Sequence, residues 1–262
     1  MAEKIRSYDF FGNIAVVRFP NNFSAKEKKK FSVKLMKEQK SVQTVLEKVG
    51  KIKGRLRKIK TKYVSGERTK EVLYKENNCV FRFNIDSTYF SPRLSNERKE
   101  IAGKIKQGEN VLVMFAGVAP FSIVIAKNSR AIKVVSVEIN REASKYAKLN
   151  VELNKLKNKV EVIQGDVKKV AVKLAKKEKF DVIVMPRPQL KESFLKEAFK
   201  LCKRGTKIYY YDFGKEDEIS LIVEKIKSEA DKYKSRIKIL KVKKAGEIAP
   251  YKYRFRVDFK VI

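Results

Sequence analysis

The stretch NVLVMFAGVAPF (110–121) is the part of the sequence that determines the fold class. A short apolar run ends in the small residues Ala116 and Gly117, and Pro120 then suits the first turn of a helix. Small residues at such a turn let a ligand approach the backbone closely. The pattern is not GxGxxG, so it gives no support for pyrophosphate binding. It predicts a buried strand, a turn that can accept a ligand, and a helix; the alternative is a tight strand-to-helix turn without a ligand.

Around this stretch, from about residue 95 onward, strand-like apolar runs alternate with amphipathic helical patterns. Four further runs are IKVVSVEI (132–139), KVEVIQG (159–165), FDVIVMP (180–186) and TKIYYYDF (206–213). The helical patterns span about 94–106, 120–128, 141–155, 189–203 and 216–232. Such alternation is typical of an α/β protein with a parallel, doubly wound sheet. Two last strands, 236–245 and 252–262, one of them antiparallel, fit a Rossmann-like sheet of the methyltransferase type better than a plain dinucleotide fold.

The residues before about 95 have a different character. A strand region is expected at 8–19 and a helix at 23–39, with Ser24 as N-cap and Glu27 three residues on. Basic, β-prone stretches follow at 54–66, 71–85 and 87–94, and apolar and polar residues alternate over 80–85. We therefore expect a small α+β domain at 1–94 and a ligand-binding domain at 95–262.

Two acids stand at the carboxyl ends of neighbouring strands, where open parallel sheets bind ligands. Glu138 ends the second strand, about twenty residues after the glycine turn, and can accept hydrogen bonds from both ribose hydroxyls of a nucleoside. Asp166 follows the third strand and can accept the adenine amino group. Together with the turn at Gly117, these acids predict S-adenosylmethionine (AdoMet) as cofactor, against a generic nucleotide-binding fold.

The fourth strand of the predicted sheet ends in Met185-Pro186-Arg187-Pro188. In many base-modifying methyltransferases this point carries an Asn or Asp followed by prolines, which holds the amino edge of the target base. The two prolines stiffen the loop. We expect Pro186, Arg187 and Pro188 to form the loop that faces the substrate base; the alternative is a plain turn before the next helix.

Composition bears on the partner and on the chemistry. Lys and Arg number 63 against 30 Asp and Glu, a net charge of +33, which predicts a polyanionic partner such as nucleic acid. The alternative is general lysine enrichment, as in AT-rich genomes or hyperthermophiles. With no His, Ser-His-Asp catalysis and histidine metal sites are excluded, and two Cys without CxxC spacing argue against zinc. Without a long apolar run, we expect no membrane partner and a cytoplasmic protein.

The segment STYFSPRLSNER (87–98), together with Phe115–Phe121 and the pair Glu138 and Asp166, resembles the archaeal and eukaryotic tRNA guanosine-37 N1-methyltransferases. SPRLSNER is the most specific part, because it lies outside the generic AdoMet motifs. The resemblance implies a class I methyltransferase domain behind a small RNA-facing domain, AdoMet as cofactor and the tRNA anticodon stem-loop as partner. We expect a monomer that begins after the elbow-binding domain of longer relatives.

The resemblance also implies roles for single residues. Glu97 is similar to the general base that removes the proton from nitrogen 1 of guanine; the alternative is a surface acid in a first helical turn. Arg57, in GRLRK, is similar to the arginine that holds the carbonyl oxygen of the base; the alternative is one phosphate contact among many. The residues matching the AdoMet pocket are Tyr89, Arg98, Phe115, Ala116, Gly117, Glu138, Ile139, Asp166, Val167 and Met185.

Two positions depart from the family pattern. MPRP replaces the usual Asn at the end of the fourth strand, which resembles the archaeal bifunctional branch that also methylates carbon 7 of 4-demethylwyosine, a tricyclic guanosine derivative. Ala119 stands where relatives have Gly, which is tolerable unless the position needs positive φ. The alternatives are the related aminocarboxypropyl transferase of wybutosine synthesis and a non-catalytic RNA-binding protein with this fold. The charge disfavours a protein methyltransferase.

Overall fold

The computed structural model describes residues 8–53, 56 and 58–262. The strands are β1 (Tyr8–Phe11), β2 (Ile14–Val17), β3 (Thr44–Lys53), β4 (Lys58–Gly66), β5 (Glu71–Glu76), β6 (Cys79–Asn84), β7 (Asn110–Met114), β8 (Lys133–Glu138), β9 (Val160–Gln164), β10 (Phe180–Met185), β11 (Cys202–Gly214), β12 (Ile237–Ala249) and β13 (Lys252–Val261). The helices are α1 (Ala25–Glu38), α2 (Ser95–Lys104), α3 (Pro120–Asn128), α4 (Arg141–Leu153), α5 (Val167–Ala175), α6 (Leu195–Phe199) and α7 (Ile219–Lys232).

The largest sheet has the strand order β12-β13-β11-β10-β7-β8-β9. Strands β7 to β11 run parallel, and β13 lies antiparallel between β11 and β12. The chain leaves β7 first toward β8 and β9 and later toward β10 and β11, so the order reverses beside β7. Ligands bind at such a switch point, at the carboxyl ends of the strands. The α/β fold class and the final antiparallel pair are confirmed.

Both faces of this sheet are buried, which explains its nearly continuous apolar strands. On β7, Val111 and Val113 pack in one hydrophobic cluster with residues of α2, α3 and α4. The alternate residues Leu112 and Met114 pack in a second cluster with residues of α5, α6 and α7. The sheet is therefore a rigid middle layer, and its strand ends hold whatever side chains follow them in fixed positions.

The N-terminal part forms a separate sheet of order β1-β2-β3-β4. Strands β2 and β3 pair in parallel, which requires a crossover, and α1 supplies it. The predicted start of α1 is confirmed, because Ser24 and Glu27 form a reciprocal capping box. Leu35 of α1 packs against Val17 and Val45 of this sheet.

The hairpin of β5 and β6 packs against α3 and α4, which cover one face of the largest sheet. The alternation over residues 80–85 is confirmed: Phe81, Phe83 and Ile85 are buried. The side chains of Asn150 on α4 and of Asn154, the residue that caps its C-terminus, also exchange hydrogen bonds of 2.7–3.1 Å with the backbone of β6. The boundary between 1–94 and 95–262 stays a prediction; this hairpin, although before residue 94, shares its core with the larger sheet.

Besides β3, for which no strand was predicted, three elements differ from the sequence-based expectations. Residues 87–94 form a turn and a short 3-10 helix (Pro92–Leu94) instead of a strand. Helix α5 was not predicted, because three valines in nine residues favour a strand, although Asp166 caps it. The helix expected over 189–203 is reduced to α6, because the Arg187 side chain binds the carbonyls of Leu190 and Glu192 outside any helix. Within the described ranges, no helix combines the length and apolarity that crossing a membrane requires.

Candidate active site

A cleft lies at the carboxyl ends of the parallel strands, beside the switch point. It is lined by Leu56, Tyr89, Phe115, Gly117, Val137, Glu138, Ile139, Asn140, Ala143, Gly165, Val167, Pro186, Pro188 and Leu190. Eight of these were predicted site residues, namely Tyr89, Phe115, Gly117, Glu138, Ile139, Val167, Pro186 and Pro188. The strand ends that the sequence indicated therefore come together in one place.

Glu138 is the fixed acid of the cleft. The backbone N–H of Gly117 donates to its Oε2, and the N–H of Asn140 donates to its Oε1, both at 2.7 Å. The side chain is largely buried, so these two bonds hold the carboxylate in one orientation at the end of β8. A carboxylate has about four acceptor sites, so the same group can serve both the backbone and the hydroxyls of a ligand.

The turn after β7 has an unusual backbone. Phe115, Gly117 and Ala119 have φ values of 62°, 58° and 65°, all in the left-handed region. Ala119 therefore occupies a position that glycine would fill without strain, and an L-residue there costs roughly 1–2 kcal/mol. Ala116 is buried and its N–H donates to the carbonyl of Val137 at 2.9 Å. This hydrogen bond fixes the turn to β8, and the three left-handed residues bend the backbone along the edge of the cleft.

Asp166 stands beside the cleft at the start of α5. Its Oδ1 accepts a hydrogen bond from the N–H of Lys168 at 2.9 Å, so it serves as the N-cap. Its neighbours Gly165 and Val167 line the cleft. A contact of Asp166 with an adenine amino group stays a prediction.

Asn140 is a site residue that was not predicted. Its side-chain oxygen accepts from the N–H of Glu142 and so caps α4. Its Nδ2 donates to the carbonyl of Ser87 at 2.9 Å and ties the segment before Tyr89 to the cleft. The signal in the sequence is an asparagine at a helix start, two residues after the acid of the second strand.

Arg98 does not line the cleft. It is fully buried, and its guanidinium pairs with both carboxylate oxygens of Glu76 and donates to the carbonyl of Ser91 at 3.1 Å. The guanidinium also lies over the rings of Phe90 and Phe121. The structure therefore shows Arg98 as a clamp between α2, β5 and the turn before α2, and its predicted contact with the cofactor is not part of this arrangement.

Glu97 is buried and is not the surface acid of the alternative interpretation. Its Oε2 accepts from the hydroxyl of Tyr211 at 3.0 Å and from Nη1 of Arg256 at 2.7 Å, and Nζ of Lys243 lies 2.6 Å from Oε1. Burial and the adjacent Glu97 raise the pKa of Tyr211 far above its ordinary value, so Tyr211 stays a neutral donor. Both carboxylate oxygens are engaged, and Glu97 is not among the residues lining the cleft.

The ion pairs of Glu97 belong to a larger network. Arg256 also contacts Glu100 and Asp258, each at 2.6 Å. Its hydrogen bond is the main reason why the pKa of Glu100 falls to about 2. Two cations, Arg256 and Lys243, thus share three carboxylates, and the network joins α2 to the antiparallel strands β12 and β13.

The loop after β10 presents only part of the predicted MPRP segment to the cleft. Pro186 and Pro188 line it, whereas the Met185 side chain is fully buried in the sheet. Arg187 is also buried, and its guanidinium contacts the carboxylate of Asp212 at the end of β11. The expectation that Arg187 faces a substrate base is thus not met in this structure. Arg57, the predicted partner of the base carbonyl, lies outside the described residues, while the adjacent Leu56 lines the cleft.

Comparison with known proteins agrees with this fold and cleft. The TRM5/TYW2 methyltransferase domain matches residues 72–240. The tRNA (guanine(37)-N(1))-methyltransferase Trm5b of Pyrococcus abyssi is 34% identical over 97% of this chain and 74% of its own length. The tRNA (guanine(37)-N(1))/4-demethylwyosine(37)-methyltransferase Taw22 of Nanoarchaeum equitans is also 34% identical, over 98% of this chain and its entire length.

Solved structures give the same result. Crystalline Trm5b from Pyrococcus abyssi superposes with a TM-score of 0.86 at 33% identity, over 98% of this chain and 75% of that one. The complex of aTrm5 and tRNALeu gives 0.84 at 30% identity, over 98% and 72%. TYW2 of M. jannaschii in complex with AdoMet gives 0.72 at 25% identity, over 98% and 100%. The chain belongs to the TRM5/TYW2 methyltransferase family.

Proposed function

We propose that this chain transfers a methyl group from AdoMet to guanosine 37 of tRNA, at nitrogen 1 of guanine, and also to carbon 7 of 4-demethylwyosine at the same position. The observation that carries the proposal is the Glu138 carboxylate, held by the amides of Gly117 and Asn140 at the switch point of the sheet. Two relatives that match nearly the whole chain are named for transfer to guanine 37, and one of them also for 4-demethylwyosine.

The residues of the cleft fit AdoMet. Glu138 offers a carboxylate for the ribose hydroxyls, and Ile139, Val167 and Leu190 supply apolar walls for the adenine ring. Gly117 has no side chain to obstruct the ligand. AdoMet supplies a methyl group already activated by the sulfonium. The protein therefore has mainly to align donor and acceptor, and alignment alone contributes up to roughly 7–11 kcal/mol to a reaction barrier.

Glu97 is the proposed base for nitrogen 1. In this structure Lys243 and Arg256 hold its carboxylate, and a base must come within about 2.6–3.2 Å of the proton that it removes. We propose that docked RNA takes the place of Lys243 at Oε1, while Arg256 and Tyr211 keep Oε2 in position. The proton of guanine nitrogen 1 then passes to Oε1. Arg57 is the proposed partner of the carbonyl oxygen on which negative charge develops.

The loop after β10 supports the second proposed activity, transfer to carbon 7 of 4-demethylwyosine. Pro186 and Pro188 face the cleft, and the Arg187 side chain points away from it toward Asp212. The loop therefore presents a rigid wall without an amide that would grip the edge of guanine. Such a wall leaves room for the third ring of 4-demethylwyosine. The proposed partner is the anticodon stem-loop, bound by one copy of the chain in the cytoplasm.

The test is transfer of labelled methyl from AdoMet to two tRNAs, one with guanosine and one with 4-demethylwyosine at position 37, followed by mass analysis of the nucleosides. We expect both to gain one methyl group. Transfer to guanosine alone would contradict the proposed carbon-7 activity, and with it the role given to Pro186 and Pro188. A gain of the aminocarboxypropyl mass would assign the chain to the sister transferase, and no transfer at all would overturn the proposal.

A further inference from the structure

A second cavity, of about 490 Å³, lies between the N-terminal sheet and the last residues of β12. Its volume falls within the range of about 300–1,000 Å³ found for small-molecule sites. The walls come from β1, β2, β3, the segment 88–93 and the segment 245–248. Tyr89 lines this cavity and also the cleft of Glu138, so the two spaces share one wall.

The walls of this cavity are rich in cations. Arg18, Lys48, Arg93 and Arg254 line it, against the acids Asp9 and Glu247. Arg93 already pairs with Asp9 at 2.9 Å. Neither Lys48 nor Arg18 makes a side-chain hydrogen bond or salt bridge with any residue that the structure describes.

Lys48 shows the effect of this crowding. Its pKa is lowered, first because burial disfavours the charged form and then because Arg18 lies close to it. The charges of Arg93 and Asp9 act on it as well, in opposite directions. A positive charge held near others in a half-buried cavity is stabilised when an anion enters.

The cavity also contains partly exposed aromatic rings. Tyr8, at the start of β1, is 42% exposed, and Tyr89 forms the shared wall. Proteins bind single-stranded nucleic acid with cations that neutralise its phosphate backbone and with aromatic rings on which its bases stack.

We propose that this cavity binds one nucleotide of single-stranded RNA next to the methylated nucleotide, with Lys48 and Arg18 at its phosphate and Tyr8 against its base. The proposal rests on the proposed function, because it needs a target nucleotide in the adjoining cleft. A loop base that leaves the stack to enter the cleft also exposes its neighbour. The second cavity, which shares the wall formed by Tyr89 with the cleft, would hold that neighbouring base and so offset the loss of stacking.

The first test measures binding of an anticodon stem-loop RNA at several salt concentrations. Lys48→Met and Arg18→Met are each expected to weaken binding about fivefold at 0.1 M salt and to reduce the slope of log K against log salt by about 0.7, the loss of one phosphate contact in a single strand. Lys48→Arg should restore both values. The matched control is Lys177→Met, at an exposed lysine in the turn after α5. Affinity for AdoMet should stay the same in every variant.

The second test places 2-aminopurine directly before or directly after the target nucleotide. Stacking on a ring quenches its fluorescence, and we expect Tyr8→Leu to relieve the quenching at one of these two positions. If Lys48→Met and Arg18→Met match Lys177→Met, and Tyr8→Leu changes neither signal, the cavity proposal is overturned even where methyl transfer proceeds. If the variants weaken RNA binding but the native chain transfers no methyl group, the cavity proposal stands and the proposed function fails.

Discussion

The guanidinium of Arg187 and the carboxylate of Asp212 meet in the protein interior, where neither side chain is more than 8% exposed. Arg187 also donates to the carbonyls of Leu190 and Glu192, at 2.8 and 3.0 Å. Asp212 in turn accepts from the hydroxyl of Tyr210 at 3.0 Å. The pair thus fixes the loop after β10 to the end of β11, and the loop presents its prolines to the cleft because its arginine is anchored behind them.

Replacing one member of this pair should be costly. Asp212→Asn leaves the buried Arg187 without its counter-charge, a change that typically destabilises a protein by about 3–5 kcal/mol. Denaturant unfolding measures this loss. The matched control is Glu192→Gln, which breaks the exposed Lys168–Glu192 pair of the same loop and should cost less than about 1 kcal/mol. Equal losses in the two variants would show that the pair does not anchor the loop.

Glu138→Gln should weaken AdoMet binding about tenfold or more. The amide cannot accept at both ends, so one of the bonds from Gly117 and Asn140 is lost, together with the negative charge, and a hydrogen bond to a charged group contributes about 1.5–3 kcal/mol. Calorimetric titration with AdoMet gives the affinity. Glu142→Gln, an exposed acid in the first turn of α4, is the control and should bind normally. Normal binding by Glu138→Gln would remove this residue from the cofactor site.

Glu97→Gln should slow methyl transfer by about 10²–10⁴-fold, the usual contribution of a positioned base, while AdoMet affinity stays unchanged. Single-turnover rates with saturating tRNA separate the chemical step from binding. Glu100→Gln is the control, because it shares the Arg256 network but has no proposed contact with the base. A loss of less than tenfold in Glu97→Gln, or an equal loss in Glu100→Gln, would exclude Glu97 as the base.

Stability should depend on Glu100 in acid. Its folded-state pKa of about 2 lies below its ordinary value of 4.5, so the unfolded chain binds this proton more readily. The contribution of Glu100 is therefore complete above about pH 4.5 and is lost as the pH falls toward 2. Urea midpoints at pH 5 and pH 3 should differ less in Glu100→Gln than in the native chain. Glu152→Gln, from an exposed pair, should keep the native difference; no change in Glu100→Gln would contradict the network.

The sheet and the fixed acid were predictable, because they depend on local patterns. Apolar runs at regular spacing predicted β7 to β11, and the acid after the second of these strands predicted the position of Glu138. Asn140 carries a local signal of the same kind, because an asparagine two residues after this acid caps the next helix, although it was not among the predicted site residues.

The surroundings of Glu97, Arg98 and Arg187 were not predictable, because their partners are distant in sequence. Glu97 contacts Arg256, 159 residues away, and Arg187 contacts Asp212, 25 residues away. Motifs identify such residues but do not show which way a side chain points. The strained turn at Ala119 was predictable only in part. The sequence shows an alanine where relatives have glycine, but the φ of 65° is needed to show that this position is left-handed.

The decisive experiment is single-turnover methyl transfer to a tRNA with guanosine at position 37, measured for the native chain and Glu138→Gln, with nucleoside mass analysis to locate the methyl group. We expect 1-methylguanosine at position 37 from the native chain and a large loss at limiting AdoMet in the variant, recovered in part by excess AdoMet. No methylated guanosine at position 37 from the native chain, or equal rates from both proteins at limiting AdoMet, would contradict this expectation.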